Sequence, residues 1–113
     1  MTPVLDIDAF WERVGEDGAL ARELIAMYFE EEPKQFNAVR AAINAKDAEA
    51  LKQAAHAVKG SVANFSAAPA MQAAAVLEKM GLSGDLSGVD EACVLLDHQL
   101  ILLHSALAKF EKK

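Results

Sequence analysis

One cysteine, Cys93, stands in the 113 residues, so no internal disulfide can form, and a lone thiol suits the reducing cytoplasm. Cys93 falls in a core register and reads as a small buried hydrophobe. Cationic charge is also scarce: 11 Lys and Arg against 17 Asp and Glu give a net charge of −6 and a pI of about 4.9, which argues against a nucleic-acid backbone as partner. No run of about 18 apolar residues offers a membrane span, and the N-terminus has no signal-peptide pattern. No segment reads as a strand, no repeat is evident and no low-complexity linker interrupts the chain. A Gly-rich phosphate loop, a kinase signature and an acidic cluster fit for magnesium are likewise missing, so neither an autonomous kinase nor a metal or cofactor site is expected. What remains suits one domain over residues 1–113, long enough for one core. Hydrophobic residues make up 53%, and many of them are alanine, which suits closely packed helices.

Apolar periodicity places the helices. After a short lead from Met1 to Leu5, Asp6 or Asp8 can cap a short helix through Val14, with Ile7, Phe10 and Val14 on one side and Gly15 as its stop; Trp11 is a lid or rim residue. Asp17 can cap a second helix running to about Lys46, whose inner face is Leu20, Leu24, Met27 or Tyr28, Phe36, Val39 and Ile43. Pro33 predicts a kink in it rather than a break. Glu30, Glu31 and Glu32 read as a solvated acidic face. Asp47 caps a third helix that ends near Phe65. A fourth begins at Ser66 or Ala68, tolerates Pro69 in its first turn, and turns Met71, Ala74, Leu77 and Met80 inward. Gly81 to Gly88 reads as a loop. In the last helix, about Val89 to Phe110, the series Val89, Cys93, Leu96, Leu100, Leu103, Leu107, Phe110 alternates steps of four and three without a break, and Ile101 and Leu102 widen its apolar face. Glu111, Lys112 and Lys113 are expected to fray. Short connections between long helices favour antiparallel neighbours, so the fold class is all-α: an antiparallel up-down four-helix bundle with a short additional N-terminal helix.

The third helix carries the chemistry. Leu51, Ala55, Val58, Val62 and Phe65 fall within about 80° of one another at 100° per residue, a narrow apolar stripe. His56 lies about 140° from its centre and so points to solvent or to the rim. Lys59 and Gly60, three and four residues on, share its surface, and Ala63 continues it. Lys52 and Gln53 flank it and can lie aside. A glycine inside a helix costs roughly 1 kcal/mol relative to alanine, which makes sense if another body must approach closely, and Lys59 makes sense if that body brings negative charge. A neutral imidazole is a nucleophile near pH 7. Lys52, Gln53, Gly60 and Ala63 are therefore the candidate partner-binding residues. His98 and His104, six residues apart on the last helix, do not share a face as metal-binding pairs do.

The run His56-Ala57-Val58-Lys59-Gly60-Ser61, on a helix followed by small residues, resembles the signature of histidine-containing phosphotransfer (HPt) domains. That resemblance covers essentially the whole chain and implies the same bundle. It also implies a phosphoryl group carried on His56 to and from aspartates of receiver domains in a multistep, two-component phosphorelay. The receiver would bring the aspartate, Mg²⁺ and most of the catalytic machinery to a cytoplasmic, monomeric carrier. Lys59 would shield phosphoryl charge. Ser61, facing another way, would serve packing. Glu78 returns toward the level of His56 in an antiparallel hairpin, and a carboxylate or amide at the corresponding place in some HPt-like domains holds the imidazole Nδ1–H, leaving Nε2 free. Ser66 stands where many members have glycine, and Val62 and Phe65 replace commoner serine and leucine. Two other functions fit the same face: a non-phosphorylated helical adaptor that docks signalling partners, and the phospho-accepting domain of a chemotaxis-type kinase.

Overall fold

The computed structural model describes residues 3–110. Five helices follow one another: α1 (Ile7–Arg13), α2 (Gly18–Asn44), α3 (Ala48–Ala63), α4 (Ala68–Ser83) and α5 (Val89–Ala108). Three aspartates start the first three. Asp6 accepts from the Ala9 amide at 3.0 Å, Asp17 from Ala19 and Leu20, and Asp47 from Ala50. Each such cap contributes about 1 kcal/mol. The ends of α1, α2 and α3 close by one device, in which a residue with positive φ reverses the chain and its neighbours bond back to the last carbonyls. After α2, Lys46 (φ +55°) donates to Ile43 O and Asp47 to Ala42 O; after α3, Ser66 (φ +52°) donates to Ala63 O and Ala67 to Val62 O. Such tight links leave each long helix antiparallel to the next.

The four long helices pack α2–α3, α3–α4, α4–α5 and α5–α2; the α3–α4 contact is the most extensive and α2–α5 the thinnest. The bundle core is buried Leu51, Val58, Val62, Leu77, Leu96, Leu100 and Leu103 with small Ala55 and Ala74 between them. α1 covers one end. Phe10 is fully buried, with its ring 5.0 Å from Phe65 and 5.7 Å from Phe110, while Trp11 reaches Phe110 at 6.2 Å. Arg13 donates to the Ala63 and Asn64 carbonyls at 2.8 Å and to Ser66 Oγ at 3.1 Å, so α1 satisfies the C-terminal carbonyls of α3.

Several expectations are corrected. In the first half of α2, Leu24 packs against the core and Tyr28, rather than its alternative Met27, is buried, but Leu20 is 39% exposed while Ala21 and Ile25 are buried. Pro33, by contrast, does not break α2, as expected. Glu30 and Glu31 are exposed, but Glu32 is half-buried and its carboxyl is pushed up by burial. Ile101 and Leu102 do not widen the buried face of α5; both are exposed. By length and a mean hydropathy of 1.2, α5 would be apolar enough to cross a membrane; its inward row packs in the bundle instead. Cys93 is partly rather than fully buried, and burial raises its thiol. Gly81 is not loop: α4 runs through it to Ser83, and Gly84 (φ +81°) supplies the stop. Met1 and Thr2 of the lead, and Glu111 to Lys113, lie outside the described residues.

Candidate functional site

The stripe Leu51, Ala55, Val58, Val62 buries one side of α3, and that burial turns the opposite side outward. His56 emerges there with its side chain 69% exposed. On α4, Leu77 is fully buried, and its neighbour Glu78 comes up at the rim of the α3–α4 seam. The antiparallel register then brings the two helices' polar groups to one level. His56 Nδ1 stands 2.7 Å from Glu78 Oε2, and Lys59 Nζ donates to Glu78 Oε1 at 2.5 Å. One carboxylate thus bridges a histidine and a lysine one helical turn apart. A carboxylate accepts, so Nδ1 carries the proton and the lone pair lies on Nε2, the ring's outward nitrogen. The Lys59 ammonium, and after it the His56 ring, hold the Glu78 carboxyl below the usual carboxylate range against a smaller opposing effect of burial.

A shallow groove of about 670 Å³ lies along this seam, lined by Lys52, Gln53, His56 and Lys59 from α3 and Ala75, Glu78, Lys79 and Leu82 from α4. Lys52 and Gln53 are held back by Glu49, whose Oε2 lies 3.2 Å from Lys52 Nζ and accepts from Gln53 Nε2 at 2.9 Å. Those two bonds, the one from Gln53 foremost, lower the Glu49 carboxyl. Gly60 is exposed, and a methyl group placed on it would meet nothing within 4 Å.

The structure therefore brings His56, Lys59, Glu78, Lys52 and Gln53 together along one groove, with Gly60 on the open surface beside it. Ala63 is set apart: it is half-buried at the C-terminal end of α3 and lines a second depression with Asp6, Arg13, Ser66 and Met71. Ser61 faces α2, beside Leu24, Met27 and Tyr28. His104 stacks on Phe29 with ring centroids 4.1 Å apart, and among the described residues no group of three or more His, Cys, Asp or Glu could hold a metal ion. Sequence reasoning missed the α4 wall, Lys79 and Leu82. They follow Glu78 by one and four residues, so the hairpin register that picked out Glu78 was a signal for them too.

The Hpt domain family model matches residues 23–109. Comparison with curated proteins gave no sequence match. Among solved structures, the crystal structure of histidine-containing phosphotransfer protein B (HptB) from Pseudomonas aeruginosa PAO1 is similar, with a TM-score of 0.89 and 19% identity over 96% of this chain and 95% of that one. At that identity the likeness bears on the fold, and both chains share the helical bundle. With the family model spanning most of α2 and all of α3, α4 and α5, the chain belongs to the Hpt domain family.

Proposed function

We propose that this chain is a phosphocarrier of a two-component phosphorelay, with His56 as the residue that holds the phosphoryl group. The observation that carries the reading is the bridge at Glu78: Nδ1 of an exposed imidazole is tied to a carboxylate, which leaves Nε2 outward and nucleophilic. In the forward step the Nε2 lone pair attacks the phosphorus of a receiver's aspartyl phosphate. The P–N bond forms as the acyl P–O bond breaks, and the aspartate leaves as carboxylate. The imidazole gains positive charge, which Glu78 stabilises through the Nδ1–H it already holds. Lys59, one turn away, can turn from Glu78 to the phosphoryl oxygens. The return step is the reverse, so transfer runs either way according to the partner.

The chain's residues supply nucleophile, orientation and one cation; in-line placement and the remaining charge neutralisation fall to the receiver and its Mg²⁺. The partner approaches over the bare surface at Gly60, with Lys52 and Gln53 drawn aside by Glu49. Ala63, at the covered end of α3, belongs to the margin of that contact. The carrier works as a monomer in the cytoplasm, as a single domain over residues 1–113, with no kinase activity of its own.

The test is His56→Gln incubated with a phosphorylated receiver. Wild type should take up acid-labile phosphate and His56→Gln none. Label retained by the Gln variant would place the phosphoryl group elsewhere, and an unlabelled wild type across all receivers of the source organism would favour a docking adaptor.

A further inference from the structure

Gly81 lies one turn beyond Glu78 on α4, and Lys52 lies one turn before His56 on α3, so in the antiparallel seam the Gly81–Lys52 layer adjoins the Glu78–His56 layer. A Cβ built on Gly81 would stand 2.5 Å from the Lys52 backbone nitrogen, 2.7 Å from the Ala48 carbonyl oxygen and 2.8 Å from Lys52 Cα. All three are backbone atoms of a helix and cannot swing aside. Gly81 is buried, and it does not end its helix, since α4 continues to Ser83 and Gly84 makes the turn. Alanine would be the better helix former. The absent side chain is thus explained by the approach of α3, at the most extensive helix contact in the molecule.

We propose that Gly81 is a positioning residue for phosphotransfer: its lack of a side chain seats α4 against α3 closely enough for Glu78 to reach His56 Nδ1 and Lys59 Nζ together. This rests on His56 being the phosphocarrier. Ordinary contact begins at 3.4 Å, so a methyl group at 81 must open the seam by about 0.9 Å at that layer. A 2.7 Å bond lengthened by as much reaches about 3.6 Å, outside hydrogen-bonding range. Both partners of Glu78 sit on α3, so an opened seam carries them away from the carboxylate together. The imidazole then loses its fixed tautomer, and part of the population presents Nε2 protonated and unreactive.

The test is Gly81→Ala, read by the ring nitrogen resonances of ¹⁵N-labelled His56. Wild type should show the Nδ1–H tautomer; Gly81→Ala should show the tautomer mixture of Glu78→Ala, with phosphate acceptance down about tenfold and helix content unchanged. If Gly81→Ala folds poorly in buffer, the spectrum is taken in trimethylamine N-oxide, which strengthens burial. A Gly81→Ala ring spectrum identical to wild type overturns the proposal. That readout needs no phosphate donor, so a wild type that never accepts phosphate refutes the carrier function while the spectrum still decides the role of Gly81.

Discussion

At the residue scale the site depends on one carboxylate shared by two basic groups. Lys59 is one-third exposed, so its pair with Glu78 contributes no more than about 1 kcal/mol to stability; the larger effect is on which nitrogen of His56 bears the proton. Because Lys59 and His56 hold the Glu78 carboxyl below its ordinary value, the linked stability is fully present above the usual carboxylate range and is lost as pH falls through the depressed value. Glu78→Gln should accordingly melt below wild type at pH 7, with the two curves converging as acid protonates the carboxylate; a gap that does not narrow on acidification would mean the carboxylate is not the cause. Lys59→Ala should lower the rate of phosphate acceptance and leave His56 as acceptor, checked by single-turnover transfer from a labelled receiver. His56, Lys59 and Gly60 were legible because helical phase alone puts them on one surface. Glu78 needed the hairpin register as well. The Glu49 clamp on Lys52 and Gln53 depends on rotamers that periodicity does not encode.

At the scale of the element, start signals were easier to read than faces. Asp6, Asp17 and Asp47 stand in the sequence as caps and act as caps. In the first half of α2 the face is legible at Leu24 and Tyr28, whereas Leu20 lies outside it and small Ala21 is buried, because hydrophobicity alone favours the leucine over its alanine neighbour. Gly81 reads as loop because a glycine seen alone cannot distinguish a helix end from a close helix contact. Ser66, which the sequence offers as one start of the fourth helix, is instead the positive-φ residue of the turn before it. At φ +52° its side chain costs about 1 kcal/mol, and the 3.1 Å bond from Arg13 to its hydroxyl returns about as much. Ser66→Ala keeps the strain and loses the bond, so it should be less stable than wild type by about 1 kcal/mol. Ser66→Gly loses both and should lie within about 0.5 kcal/mol of wild type. Urea unfolding of the three proteins orders them, and an alanine variant more stable than the glycine variant would contradict this balance.

At the scale of the whole molecule, the surface around His56 differs from the rest in charge and in relief. The chain carries a net charge of −6, yet the groove beside His56 is lined by Lys52, Lys59 and Lys79 against the one carboxylate of Glu78. An acidic partner is therefore attracted to this seam while like-charged faces elsewhere repel it, which favours orientation more than affinity. Transient signalling contacts need bury only about 1,200 Å² or less, so one unobstructed patch is sufficient. Gly60 keeps that patch low. Because a side chain added there meets nothing within 4 Å, Gly60→Gln should fold normally, and the better helix former should raise stability by about half a kcal/mol. Its side chain nevertheless stands one turn from His56 on the approach side. Holding the receiver's aspartate back by an ångström should slow transfer about a hundredfold, since phosphoryl transfer demands in-line contact with Nε2. The slowing should appear with any receiver and should spare uptake from a small phosphoramidate donor, which needs no docking surface. Equal losses with both donors would locate the damage in the imidazole itself, and an unchanged rate with the receiver would show that the partner reaches His56 from the α4 side of the groove.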